Sequence, residues 1–262
     1  LSGKEIFMKI AIIGAGNMGG AIARGLAQGS IIQADEITVA NRSIGKLEAL
    51  KAEYPEICIT SDNAEATKTA DMIILAVKPW LMETVMKGLD IAKEQIVVSV
   101  AAGITFETLA QYSKAETMFR VIPNTAISQL ESMTLIASHG AGKEQEQLML
   151  DIFNEMGMAM LIPESQIAAT TALTSCGIAY VLKYIQAAMQ AGIEMGVYPK
   201  DAMKMVAQSV KGAAELILKN DTHPSVEIDK VTTPGGITIK GINELDHAGF
   251  TSAIIKAMKA SK

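Results

Sequence analysis

Val231-Thr232-Thr233-Pro234-Gly235-Gly236-Ile237-Thr238 places two glycines and two well-spaced hydroxyls, those of Thr233 and Thr238, before a segment with helical character that runs to about His247. Adjacent glycines reach backbone angles closed to other residues. A turn of this kind feeding a helix leaves several amide N–H groups aligned, and the helix dipole adds positive potential there. The chemistry on offer is capture of a small anion, a carboxylate above all. Taken alone, the segment reads first as a tight turn between two helices, and it is the other end of the chain that reverses this.

A second constellation lies at the other end of the chain. Lys9-Ile-Ala-Ile-Ile-Gly14-Ala15-Gly16-Asn17-Met18-Gly19 is an apolar run that closes on G-x-G-x-x-G and opens a helical stretch, Met18 to Gln28. In that strand-to-helix setting the pattern signals a dinucleotide: Gly14 for the tight turn, Gly16 for approach to the pyrophosphate, Gly19 for helix–strand packing. The second strand, Glu36 to Ala40, ends in Asn41-Arg42-Ser43. NAD sites usually carry Asp or Glu there for the ribose hydroxyls. A guanidinium and short polar donors suit a 2′-phosphate instead. NADP(H) is therefore the expected cofactor, with NAD(H) as the alternative.

Further strands are predicted at Met72 to Val77, Ile96 to Val100, Thr117 to Ile122 and Met133 to Ser138, with helical stretches between the early ones. This alternation predicts an α/β fold, a Rossmann-like doubly wound parallel sheet, with ligands beyond the C-terminal strand ends. Those ends carry Ala76-Val77-Lys78-Pro79, Ala101-Ala102-Gly103 and Ile122-Pro123-Asn124. Small residues there admit a flat ring and its ribose. Lys78 is either a ribose or phosphate contact or a solvated side chain.

From Gln166 onward the pattern is helical. Ile167 to Met195 reads as one helix of about 40 Å at ~1.5 Å per residue. It is apolar nearly all round, which implies burial on most faces. The hundred or so residues that remain cannot enclose it, so the helical domain is expected to form an interleaved homodimer. The predicted division is 8–162 for the dinucleotide-binding domain and 163–262 for an all-α dimerisation and substrate-binding domain. The uncharged stretch Ile167 to Leu182 is short of the ~18–20 strongly apolar residues of a membrane span, and no membrane association is expected. Helices are also predicted over Ile44 to Glu53, Lys200 to Leu218 and Phe250 to Ala260.

The chain has 262 residues and a net charge of −5, with no basic run, which argues against nucleic acid as a partner. Cys58 and Cys176 lie far apart, as free thiols of a reducing, cytoplasmic setting would. His139, His223 and His247 are scattered and no metal-ligand spacing is present. Leu1 to Phe7 precede Met8, which reads as a natural start, and are set aside as a leader or remnant.

Five motifs together resemble the pyrroline-5-carboxylate reductase family over Lys9 to about Ala260. They are the glycine fingerprint through Met18-Gly19, Ala76-Val-Lys-Pro79, Ala101-Ala-Gly-Ile-Thr105, Arg120-Val-Ile-Pro-Asn-Thr125 and, most specific, Asp229-Lys-Val-Thr-Thr-Pro-Gly-Gly-Ile-Thr238. The resemblance implies hydride transfer from NAD(P)H to the ring C=N carbon of a cyclic imino acid, 1-pyrroline-5-carboxylate, giving L-proline. It implies that the carboxylate is held around Val231, Thr233, Gly235, Gly236, Ile237 and Thr238, with the Thr238 hydroxyl on the ring nitrogen as the catalytic contact. It also implies that Asn63 approaches the adenosine ribose, although by itself Asn63 reads as a cap in Ser61-Asp62-Asn63. The homodimer expected from the long helix leaves open a further ring of dimers, which the sequence does not decide.

There are departures. Where the family usually opens its long helix with Ser-Gly-Ser-Gly-Pro-Ala-Tyr, this chain has Thr174-Ser175-Cys176-Gly177-Ile178-Ala179-Tyr180, and Ala168-Ala169 stand where an acidic residue is common. Two other readings share the glycine start. A β-hydroxyacid dehydrogenase would need an asparagine four residues after a helix lysine, but Ala187 follows Lys183 at that spacing. A non-catalytic NADPH sensor could have lost the second constellation, which is intact here.

Overall fold

The computed structural model describes residues 7–262; residues 1–6, most of the stretch set aside above, lie outside the described residues. The chain divides into two compact units, one running to Ser175 and the other Cys176–Lys262.

Unit 1 alternates strand and helix: β1 Ile10–Ile13, α1 Asn17–Gln28, β2 Ile37–Ala40, α2 Ile44–Glu53, β3 Cys58–Thr60, α3 Asn63–Thr67, β4 Met72–Leu75, α4 Met82–Lys87, β5 Ile96–Ser99, α5 Phe106–Ala110 and β6 Thr117–Ile122. Then come β7 Ser132–His139, α6 Lys143–Asn154, β8 Gly157–Leu161 and α7 Ile167–Thr171. The eight strands form one sheet in the order β3-β2-β1-β4-β5-β6-β7-β8. Every pairing is parallel except β6 with β7, where Val121 faces Ile136. Strand order reverses beside β1, and such a switch point opens a crevice for ligand.

Period-2 alternation explains why both faces are covered. Ile10 and Ile12 pack on one side with Ile22, Leu26, Leu47 and Phe153. Ala11 and Ile13 pack on the other with Ile73, Leu75, Met82 and Leu109. A strand buried on both faces reads as a continuous apolar run, as β1 and β4 do.

Between α7 and the next helix the chain passes through a π-helical turn, Ala172–Cys176. Two bonds within unit 1 draw its carbonyl and hydroxyl toward the end of β6: Asn124 Nδ2 donates to Thr174 O (3.3 Å), and Ser175 Oγ donates to Pro123 O (3.4 Å). Tertiary hydrogen bonds of this kind hold a helix open by one residue.

Unit 2 is all helical: α8 Gly177–Glu194, α9 Pro199–Asn220, α10 Pro224–Val231, α11 Ile237–His247 and α12 Phe250–Ala260. Gly196, at φ +93°, turns the chain between α8 and α9. Gly192 lets them approach, since a Cβ there would stand 3.3 Å from Ala202 Cβ. Tyr180 of α8 reaches α12, its hydroxyl meeting Ala257 O (3.3 Å) and Ser261 Oγ. The chain by itself does not enclose the long helix: Leu182 is 58 % exposed and Tyr184 46 %. Its apolar faces await cover from outside the chain.

Candidate functional site

The glycine loop is built by close packing. Gly14 sits at φ +109°, and a Cβ there would lie 2.6 Å from Ala76 O. Its N–H donates to Ala40 O (2.7 Å). A Cβ on Gly19 would overlap Gly14 O, so α1 can start this close to the sheet only with glycine at that position. Gly16 differs: it is the N-cap of α1, no side chain caps the helix, and an added Cβ would meet nothing within 4 Å. The first-turn amides of α1 thus face open space, an anion cradle at the positive end of a helix.

That space is a cleft of about 1210 Å³ along the C-terminal strand ends. Gly14, Gly16, Asn17 and Met18 line it from the loop, Asn41 and Arg42 from the end of β2, Asn63 from α3. Ala76, Val77, Lys78 and Pro79 line it after β4, and Ala102 after β5. Arg42 is joined by Lys46, one turn on in α2, and neither forms an ion pair among the described residues. Leu81 and Val85, four residues apart, supply an apolar wall. These residues fit an NADP dinucleotide: an uncapped helix start for the pyrophosphate, two unpaired cations for a 2′-phosphate, and apolar walls for the rings. Among the described residues no cluster of His, Cys, Asp or Glu could hold a metal.

Other expected cofactor residues lie elsewhere. Ala15 and Gly19 are buried behind the loop. Ser43 and Gly103 are exposed outside the cleft lining. Pro123 and Asn124 are buried at the end of β6, where Asn124 Oδ1 accepts from Ala126 N–H (3.0 Å) and its amide goes to Thr174. Asn41 lines the cleft, yet its side chain is committed: Oδ1 accepts from Ala15 N–H (3.1 Å) and Nδ2 donates to Ser43 O (3.1 Å). It shapes the loop. The cap of α3 is Asp62, which accepts from Ala64 N–H (2.9 Å) and Glu65 N–H (3.3 Å). Asn63 caps nothing and its place on the cleft wall is free for a ligand. Lys46 was not expected, although its spacing from Arg42 is the signal that marks it.

The second constellation is a β-turn. Gly236 N–H donates to Thr233 O (2.9 Å) across Pro234 and Gly235, and Gly235 is at φ +73°. Proline second and a positive-φ glycine third make a type II turn. The turn delivers the chain into α11 with Gly236 as N-cap and no side-chain cap. The N–H of Gly236 is spent, so the open donors are those of Ile237, Thr238 and Ile239. Thr233 Oγ1 stands over Gly236, 2.7 Å from where a Cβ would be. Thr232 instead bonds back to Ile228 O (3.1 Å). Thr233 and Thr238 are exposed, as are Val231 (59 %) and Ile237 (87 %). His223 caps α10 through Nδ1, which accepts from Ser225 N–H (3.2 Å), and Lys183 donates to Gln186 on its own helix (2.9 Å).

A doubly wound sheet with this cradle and cation pair is the cofactor-binding half of an NADP-dependent oxidoreductase, and residues 9–103 match the family model described as NADP oxidoreductase coenzyme F420-dependent. Residues 164–262 match the model for pyrroline-5-carboxylate reductase dimerisation, so the helical part is a self-association domain. The chain is 37 % identical over 270 residues to pyrroline-5-carboxylate reductase 2 of Dictyostelium discoideum, covering 96 % of this chain and 90 % of that one. It is 36 % identical over 267 residues to reductase 1 of the same organism, covering 96 % of this chain but 48 % of that relative, about half its length. A crystal structure of Plasmodium falciparum pyrroline carboxylate reductase with NADP bound superposes with a TM-score of 0.86 at 26 % identity, covering 98 % of this chain and 97 % of the other. The chain belongs to the pyrroline-5-carboxylate reductase family.

Proposed function

We propose that this chain reduces 1-pyrroline-5-carboxylate to L-proline, the last step of proline synthesis, with NADPH preferred and NADH as the alternative. The observation that carries this reading is the uncapped α11 start with Thr233 and Thr238 beside it, in a chain whose other unit bears the NADP cleft. The bound nicotinamide supplies the hydride. The amides of Ile237 and Thr238, with the Thr233 hydroxyl, hold the substrate carboxylate through charge-assisted hydrogen bonds. The exposed Val231 and Ile237 offer apolar contact to the ring carbons. The Thr238 hydroxyl accepts from the protonated ring nitrogen and fixes the imine's orientation. A protonated imine is already electrophilic, so orientation matters more than a strong general acid. Arg42 and Lys46 take the 2′-phosphate, and Asn63 meets the adenosine ribose.

The working unit in this reading is a cytoplasmic homodimer, with rings of dimers as a further level of assembly. The functional division runs at 162/163, where the sheet has ended and the region of helical self-association begins. The test is NADPH oxidation with 1-pyrroline-5-carboxylate, beside NADH, the six-membered imine and a panel of 3-hydroxy and 2-keto acids. Imine-only oxidation is expected. Oxidation driven by a keto acid, or none with either imine, overturns the proposal.

A further inference from the structure

Glu164 lies just beyond the sheet, yet its carboxylate serves two elements inside unit 1. Oε1 accepts from Arg120 Nη1 (2.7 Å) and from the backbone N–H of Phe106 (3.1 Å). Arg120 is on β6, 6 % exposed, in register with Ser99 at the end of β5 and Ala137 of β7. Its Nε has no partner among the described residues. A buried guanidinium held by so little is costly as a fastening for the sheet, because an apolar pair of similar volume packs as well or better. Its placement indicates another use.

Phe106 opens α5, directly after the loop that leaves β5. Val100, Ala101 and Ala102 of that loop line the cofactor cleft. Gly103 follows at φ +78° with open space where a Cβ would be. Thr105 caps α5 by accepting from Thr108 N–H (3.1 Å), which leaves the Phe106 N–H free to take an outside partner. That partner is Glu164. The loop is therefore pinned at its far end by a carboxylate, and Arg120 holds the carboxylate in place.

We infer that Glu164 and Arg120 are positioning residues for the cofactor, acting through the Phe106 amide on the Ala101–Thr105 loop. This inference rests on the reading of the cleft as the NADP site. Two double variants separate it from a purely structural role. Arg120→Met with Glu164→Leu removes the ion pair and the acceptor together. Arg120→Met with Glu164→Gln removes the charges but keeps a carbonyl for the Phe106 N–H.

Both pairs should melt near wild type. The leucine pair should bind NADPH about 3- to 10-fold more weakly, the worth of one ordering hydrogen bond, and the glutamine pair should recover most of that loss. Hydrogen exchange without cofactor should show faster exchange at residues 101–108 in the leucine pair alone. Wild-type binding and exchange in the leucine pair, or equal losses in both pairs, would overturn the inference. Should neither variant fold, the wild-type chain still answers: a Phe106 amide that exchanges as fast as an exposed loop is not held by Glu164. A wild-type chain that fails to bind NADPH would remove the cofactor reading and this inference with it; normal binding by the leucine pair removes this inference alone.

Discussion

Gly16 offers a perturbation in which cofactor binding should suffer while folding stays nearly unchanged. Its backbone, φ −73° and ψ −170°, is extended and open to alanine, and an added Cβ meets no atom within 4 Å. Gly16→Ala should therefore cause no strain. Narrowing the unfolded ensemble gains about 0.4–1 kcal/mol, and alanine as a poorer N-cap of α1 than glycine costs about as much, so Tm should move by no more than roughly 2 °C. The same methyl enters the space the pyrophosphate must occupy. Losing one charge-assisted hydrogen bond from the α1 amides costs ~1.5–3 kcal/mol, so the Kd for NADPH should rise about 10- to 150-fold. Gly14→Ala is the control. At φ +109° with Ala76 O only 2.6 Å from its Cβ, it should lose at least ~1–3 kcal/mol and melt roughly 2–12 °C lower. Calorimetric melting without cofactor and isothermal titration with NADPH give both quantities. A Gly16→Ala chain that melts as low as Gly14→Ala, or binds NADPH as tightly as wild type, would refute the reasoning that makes the Gly16 face the cofactor's seat.

Three other outcomes are expected. Arg42→Ala should narrow the preference for NADPH over NADH by about 10-fold or more, and Lys46→Ala should shift it in the same direction. Steady-state KM values for the two cofactors decide it, since equal losses with both would mean the 2′-phosphate is not what these cations read. Thr238→Ala should lower imine turnover by about 10- to 100-fold, ~1.5–3 kcal/mol of lost orientation, with Thr238→Ser recovering most of it; turnover unchanged in the alanine variant takes Thr238 out of the site. Solution scattering should never find a stable monodisperse monomer, and one found at working concentration defeats the homodimer.

What the sequence reveals depends on where each interaction partner lies in the chain. Thr117–Ile122 is found as the strand predicted from the sequence, buried on every residue. The glycine loop and the strand-end segments carry their signals locally, so Gly16, Arg42 and Ala76–Pro79 could be placed from the sequence. Cys58–Thr60 and Gly157–Leu161 could not be recognised as strands. Both are sheet edges, three and five residues long, and β8 is Gly-Met-Ala-Met-Leu with no β-branched residue. Their partners, β2 and β7, make them strands. The π-helical turn was hidden for the same reason. Nothing in Ala172–Cys176 announces it, because the groups that draw it out belong to Pro123 and Asn124, some fifty residues earlier. Asn124, expected against the cofactor for its place after a strand, is buried at the strand's end, where its side chain caps the next turn and holds a helix carbonyl.

Glu164–Glu194 is long and apolar enough to cross a membrane, yet only 17 % of its most apolar stretch is buried within the chain. Such a surface demands cover, and lipid and protein are the two candidates. Lys183 sits mid-helix with its ammonium on Gln186, and a charge facing hydrocarbon is expensive. The helix also opens with Thr170, Thr171, Thr174 and Ser175, several of them bonded to backbone carbonyls of this chain. Residues 164–262 as a whole match a dimerisation domain. Protein is therefore the cover. Beside α8, the next helix leaves Met203, Met205, Leu216 and Leu218 at 46–65 % exposure, further apolar surface for a partner copy to cover. Association that covers these faces would stabilise the folded helical half, and its Tm should then rise with protein concentration.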